Sequence, residues 1–129
     1  MNMKKLLFTV ALIVSLMNGY SQETTVTKKL AANFVNYYNA DQADSLSTLF
    51  SDEIKKQMPP ANIPPLISQL KSQLGKLLNS EFFAANNGII SYICTFEKSG
   101  PVLYLHFDKS NKLAGFYVNA DKREKPPVK

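Results

Sequence analysis

Residues 78–118 read LNSEFFAANNGIISYICTFEKSGPVLYLHFDKSNKLAGFYV, and the clearest evidence for the fold lies in these residues. Four runs rich in β-branched and aromatic residues alternate with turn-forming residues, as in strands joined by short turns. Asn87-Gly88 favours a type I′ hairpin turn, Ser99-Gly100 forms a second turn, and residues 109–112 form a polar loop. We therefore predict a four-stranded antiparallel meander with strands over 78–85, 89–97, 101–108 and 113–118.

The alternation of side chains along each strand predicts two different faces of this sheet. One face is almost wholly apolar and is expected to lie under helices; it comprises Ile90, Tyr92, Cys94, Phe96, Leu103, Leu105, Phe107, Ala114, Phe116 and Val118. The opposite face mixes polar and aromatic residues and comprises Phe82, Ser91, Ile93, Thr95, Tyr104, His106 and Tyr117. We expect this mixed face to contact a ligand or a partner.

The residues before the sheet have helical periodicity. Val26, Leu30, Phe34 and Tyr38 recur every four positions and predict a helix over 25–39. Asp41 is predicted to cap a second, shorter helix with Leu46, Leu49 and Phe50 inward, and Ser51 to cap a further turn through Ile54.

A third helix is predicted after Met58-Pro59-Pro60, because proline cannot continue a helix interior. It starts within 62–65 and ends at Gly75, and its apolar stripe consists of Leu66, Leu70 and Leu74, widened by Ile67. The predicted fold class is therefore α+β, with three N-terminal helices packed on a four-stranded antiparallel meander.

The first 21 residues have the layout of a secretory signal peptide. Lys4 and Lys5 precede an apolar run over 6–16, and small residues stand at Gly19 and Ser21. We predict cleavage before Gln22, no membrane span after cleavage, and a secreted or periplasmic protein. The chain then divides into a signal peptide (1–21), a single α+β domain (22–119) and a disordered basic tail (120–129).

Charge and cysteine content narrow the function. Cleavage would lower the formal net charge of +5 by two, and the remaining basic residues are scattered, which argues against nucleic-acid binding. The single cysteine, Cys94, cannot form an internal disulfide, and its place in the apolar face predicts a small buried side chain. An interchain disulfide or a reactive thiol is the alternative.

Few residues carry a chemical signal. Ser68 and Lys71 match an S-x-x-K pattern, but no S-D-N or K-T-G motif accompanies them, so a nucleophilic serine is not expected. His106, the only histidine, is the candidate general base, with Tyr104 or Tyr117 as hydrogen-bond donor and Asp108 on the same side. One histidine without clustered carboxylates predicts no metal site, and no cofactor is predicted.

Several short segments resemble a bacterial domain-of-unknown-function family with the nuclear transport factor 2-like (cystatin-like) cone fold. They are Phe34-Val35-Asn36-Tyr37-Tyr38, Leu49-Phe50-Ser51, Met58-Pro59, residues 70–76, residues 92–96 and residues 112–116. Members of that family occur alone or in front of α/β-hydrolase or serine β-lactamase-like domains. The resemblance implies a cone fold and carries over no catalytic residue.

We therefore expect an exported, non-enzymatic domain that binds a small apolar ligand or a protein partner through the mixed sheet face. The alternative is a small isomerase or hydratase that uses His106 in a cone pocket. A cystatin-like protease inhibitor ranks last, since no Gln-x-Val-x-Gly segment is present. We also expect a homodimer with Tyr104 near the centre of its interface, because buried aromatic residues tend to dominate interfaces.

Overall fold

A computed structural model describes residues 22–123, in which helices cover one face of a four-stranded antiparallel sheet. The predicted signal peptide (1–21) and residues 124–129 of the predicted tail lie outside the described residues. The α+β class is confirmed. Within the described part of the chain there are four α-helices: α1 (Thr25–Asn39), α2 (Ala43–Ser47), α3 (Asp52–Gln57) and α4 (Ile63–Leu74). A 3₁₀ turn, Pro60–Asn62, precedes α4.

Helix α1 has the predicted bounds because its start is capped. Thr24 and Thr27 form a reciprocal capping box, which satisfies two backbone N–H groups that the helix leaves free. Its buried face consists of Thr27, Ala31, Phe34, Val35 and Tyr38. Val26, which we predicted to be part of this stripe, is exposed instead.

Two details of the other helices differ from the prediction. Asp41 does not cap α2: its φ is 58°, and Gln42 takes the N-cap position without a side-chain hydrogen bond. In α4 the buried residues are Ile67, which was predicted on the stripe, and Ile63, which was not, while Leu66, Leu70 and Leu74 are only partly buried. Ser51 does cap α3, and Gly75 ends α4 with a φ of 86°, as predicted.

The strands are β1 (Leu77–Asn86), β2 (Ile89–Phe96), β3 (Val102–Phe107) and β4 (Leu113–Asn119), in the spatial order β1-β2-β3-β4. This confirms the predicted meander. Asn87 and Gly88 both have positive φ, 54° and 82°, as a type I′ turn requires.

The inner face of the sheet, which packs against the helices, contains the predicted apolar residues of β2 and β3. Ile90, Tyr92 and Cys94 lie opposite Phe107, Leu105 and Leu103, and all six are buried. With the buried residues of the helices they form the main core. Tyr92 also ties the start of α1 to the sheet, because its hydroxyl lies 2.6 Å from the Glu23 carboxylate and 3.2 Å from Thr27.

Irregularities in the two edge strands move some side chains to the face opposite the predicted one. A bulge between Phe82 and Ala84 places Phe82 beside Tyr92 on the inner face and leaves Phe83 on the other face. A second bulge, at Ala114, puts Leu113 into the core in place of the predicted Ala114. Val118 is on the predicted face but is exposed.

Within residues 22–123, no helix combines the length and the apolar character that a bilayer crossing requires.

Candidate functional site

The candidate site is the outer face of the sheet, which lies opposite the helices. Strand pairing brings Ile93, Tyr104 and Tyr117 into one row across β2, β3 and β4, and His106 lies beside Ser91 in the next row. Six of the seven residues predicted for this face therefore lie on it. The exception, Phe82, lies on the inner face, and Phe83 takes its place against the Tyr104 ring, at a centroid distance of 5.9 Å.

The centre of the outer face is buried, although we expected this face to contact a ligand or a partner. Ile93, Val102 and Tyr104 form a second small core, with exposed fractions of 0%, 3% and 1%. The covering comes partly from residues Ala120–Arg123, which we call the strap. The Tyr104 hydroxyl donates to the Ala120 carbonyl at 2.6 Å and accepts from the Lys122 N–H at 3.0 Å. While the strap is in place, Tyr104 is therefore not accessible to a second copy of the chain.

Arg123 anchors the end of the strap to the other side of the sheet. Its guanidinium donates to Asp121 at 3.0 Å, to Glu81 on β1 at 2.7 Å and to Thr95 at 3.4 Å. Hydrogen bonds from Arg123 hold the pKa of Asp121 below its usual range, and donating to this carboxylate raises the pKa of Arg123. The first four residues of the predicted tail thus follow a defined path across the outer face.

Three ring systems stack across β3 and β4 on this face. Tyr104 and Tyr117 stack at 5.0 Å between centroids, and Tyr117 also stacks on His106 at 5.3 Å. Phe83 and Tyr117 remain exposed, at 38% and 42%. The outer face therefore presents two exposed aromatic side chains on either side of a buried centre.

His106 pairs with Ser91 and not with a carboxylate. The Ser91 hydroxyl lies 2.6 Å from Nδ1 of His106, and burial lowers the pKa of the imidazole, so the neutral ring predominates at neutral pH. Asp108, predicted to assist it, accepts backbone N–H bonds from Ser110 and Lys112 in the β3–β4 loop. A neutral imidazole beside a hydroxyl can accept a proton, but a triad also requires an acid that orients the ring. Among the described residues, no hydrogen bond joins His106 to an acid.

The other chemical candidates have structural roles. Lys71 Nζ lies 2.8 Å from both the Asp41 carboxylate and the Asn39 carbonyl, while Ser68 is exposed on α4. The Cys94 thiol is buried as predicted, and burial raises its pKa to about 12. No group of three or more potential metal ligands occurs among residues 22–123.

Open clefts border this part of the molecule. One of about 470 Å³ is lined by Gly100, Pro101, Val118, Asn119, Ala120 and Asp121, where the strap leaves β4. Another, of about 250 Å³, lies between the start of α3 and the β3–β4 loop and is lined by both acidic and basic side chains. None of the clefts described in residues 22–123 is lined by His106.

The prediction from sequence missed the strap and its anchor. The signal was present in part: Asp121 and Arg123 are oppositely charged two residues apart, just after the last strand. Nothing in that spacing says that Arg123 reaches Glu81, because the contact joins residues 42 positions apart.

The structure defines the class of this protein as an α+β domain with aromatic side chains on the outer face of its sheet. Comparison with protein families then shows the family to which the chain belongs. Residues 31–116 match the family described as "Protein of unknown function (DUF3887)", which is most of the chain, and the chain belongs to that family. The match begins within α1 and ends at Phe116, so it excludes Tyr117 and the strap. No match was found among curated proteins, and none among solved structures.

Proposed function

We propose that this chain is an exported, non-enzymatic binding domain with a nuclear transport factor 2-like cone fold, and that its outer sheet face contacts a protein partner or a small apolar ligand. The single observation that carries the proposal is the pair of exposed aromatic residues, Phe83 and Tyr117, beside a buried centre. Exposed apolar groups rimmed by polar residues commonly mark interaction sites.

The cone fold is supported by the order of elements and by the bulges. The helices all precede the meander, and register shifts occur in both edge strands. Bulges increase local twist and bend a strand, as a sheet that curls around a long helix requires. Helix α1 packs mainly against β1, the strand that contains two of the three shifts.

A protein partner fits the geometry better than a small ligand. The outer face has no deep cavity among those described, and its two exposed aromatic side chains lie on different edge strands, β1 and β4. Such an arrangement suits a broad contact in which aromatic side chains anchor the partner. A small apolar ligand would instead require a concave site that encloses most of its surface.

The isomerase or hydratase alternative has less support. It would use His106 as base and Tyr104 or Tyr117 as donor, but the Tyr104 hydroxyl already bonds the strap and Nδ1 of His106 already bonds Ser91. A general base must also reach its substrate, which requires an open pocket around the imidazole.

Site-specific photo-crosslinking in the native host tests the proposal. A photoreactive amino acid at Phe83 or Tyr117 should give discrete crosslinked species, whereas the same probe at Val26, an apolar residue that is 50% exposed on α1, should give none. Mass spectrometry then distinguishes a second protein, a small molecule and a second copy of the chain. Equal products from all three positions, or none from any, would refute a specific contact on the outer face.

Export is tested separately by sequencing the N-terminus of the protein from the extracytoplasmic fraction. We expect it to begin at Gln22, and retention of Met1 would refute the proposed signal cleavage.

A further inference from the structure

Strand β4 has an open edge along most of its length. The strand order leaves β3 on one side of β4 and no strand on the other. On that side, backbone hydrogen bonds are described only for its first residue, and α3 contacts the strand beside it: the Leu113 N–H donates to the Leu49 carbonyl at 2.7 Å, and the Leu113 carbonyl accepts from the Ser51 N–H at 2.9 Å. From Gly115 to Asn119, the part we call the β4 edge, no such cover occurs among the described residues.

The backbone groups that point outward from the β4 edge can be identified from the register. Leu113 directs its N–H and C=O away from β3. The backbone groups of Phe107, which lies opposite Leu113, therefore point toward β2. Because the backbone groups alternate in direction along β3, those of Leu105 and Leu103 also point toward β2. The β4 residues opposite them, Phe116 and Val118, therefore direct their N–H and C=O groups away from β3, toward the open edge. Within residues 22–123, no hydrogen-bond partner is described for the backbone groups of Phe116 and Val118 on that side.

The other edge of the sheet is protected, and this contrast singles out β4. On β1, the Asn39 side chain bonds both the N–H and the C=O of Leu77, at 2.9 and 2.8 Å. Two register shifts interrupt the rest of β1, and it carries the charge of Glu81. These are devices by which proteins prevent strand pairing at an edge. The β4 edge has no charged residue, its bulge lies before it, and Tyr117 and Val118 are exposed on its two faces.

We propose that the β4 edge pairs antiparallel with the β4 edge of a second copy of this chain, giving a continuous eight-stranded sheet across a two-fold axis. With Tyr117 opposite Tyr117 of the second copy, the outward groups of Phe116 meet those of Val118, and four backbone hydrogen bonds form. The length of the β4 edge agrees with this pairing. Leu113 is covered at one end of the strand, and at the other end the strap turns onto its own sheet after Asn119, which leaves the residues on either side of Tyr117 free to pair. This inference concerns the strand edge and goes beyond the proposed function, which concerns the outer face.

The two-fold axis gives the proposal a sharp test. Like charges placed directly opposite each other destabilise a strand pair, while opposite charges stabilise it. Tyr117→Lys and Tyr117→Glu should therefore each be monomeric in analytical ultracentrifugation, under conditions in which the wild-type chain is a dimer. A one-to-one mixture of the two variants should recover a heterodimer. Val26→Lys, at an exposed apolar position on α1, is the matched control and should remain dimeric.

Each other outcome overturns the proposal. A wild-type chain that is monomeric from low micromolar to millimolar concentration excludes the dimer, and dimeric single-charge variants exclude this edge as its interface. Monomeric variants that fail to form a heterodimer exclude the register. If the Tyr117 variants unfold, Val118→Pro replaces them, because it removes an outward N–H and leaves the bonds to β3 intact. A folded, fully dimeric Val118→Pro protein would also overturn the proposal. A crosslink from Phe83 to another protein would support the proposed function whatever the oligomeric state of the chain. The proposal for the outer face and the proposal for the β4 edge can therefore be refuted independently.

Discussion

The Tyr104 hydroxyl helps to hold the strap to the sheet, and the Tyr104→Phe substitution measures its contribution. The substitution keeps the ring, its stacking on Tyr117 and its burial, and it removes the two hydrogen bonds to Ala120 and Lys122. Each net hydrogen bond contributes about 0.5–1.5 kcal/mol, and the two backbone groups can bond water once the hydroxyl is gone. We therefore expect a loss of about 1–2 kcal/mol in the free energy of unfolding.

A double-mutant cycle assigns this loss to the strap. The assay is urea unfolding followed by circular dichroism, with the full chain and a chain that ends at Asn119, each with and without the Tyr104→Phe substitution. In the shortened chain the hydroxyl has lost its partners, so Tyr104→Phe should have almost no effect, and the coupling energy should equal the loss in the full chain. Tyr117→Phe is the matched control, since no hydrogen bond of its hydroxyl is described. An equal effect of Tyr104→Phe in both chains would refute the role of the strap.

Three further predictions concern single side chains. Asn39→Ala removes both bonds to Leu77 and should lower the free energy of unfolding by about 1–3 kcal/mol in urea titrations, whereas Asn36→Ala, exposed on the same helix, should change it by less than about 0.5 kcal/mol. The Cys94 thiol, with its pKa raised to about 12 by burial, should resist Ellman's reagent at pH 8 until urea unfolds the chain; rapid labelling of the native protein would contradict its burial. Burial lowers the pKa of His106 from 6.5, so the unfolded chain binds more protons than the folded chain as the pH falls below 6.5. The contribution of His106 to the free energy of unfolding should therefore be complete above pH 6.5 and decrease as the pH falls. His106→Gln should flatten this pH profile. A profile unchanged by the substitution would show that other groups cause the pH dependence.

The sequence was sufficient to predict the elements and the two faces of β2 and β3. Helix α1 and the meander are marked by strong periodicity, and Asn87-Gly88 and Gly75 adopt the positive φ that their positions require. The position of the β2–β3 turn was predicted wrongly, without effect on the predicted faces. Thr95 pairs with Val102, so the turn is centred on Lys98-Ser99 and not on Ser99-Gly100. This moves the register by two residues, and because two is the period, every side chain keeps its predicted face.

The edge strands were harder to predict because a single bulged residue reverses the face of the residues after it. On β1, Phe82 and Phe83 are adjacent aromatic residues of equal size, and hydrophobicity does not indicate which one faces the helices. The bulge between Phe82 and Ala84 decides it, by placing Phe82 against Tyr92 and Phe83 against Tyr104. On β4 the same effect selects Leu113 over Ala114, and this choice favours burial of the larger side chain.

The burial of Tyr104 shows why the sequence predicted the location of the candidate site but not the segment that covers it. The alternation placed Tyr104 correctly on the outer face, opposite the helices. What covers it is a short polar segment, Ala120–Arg123, whose composition is that of a solvated chain end. It is held by the Tyr104 hydroxyl and by Arg123, which bonds both Asp121 and Glu81, a combination that appears only once the strands are assembled. The same segment determines where the chain leaves β4, and so it fixes both the extent of the aromatic outer face and the length of the open β4 edge.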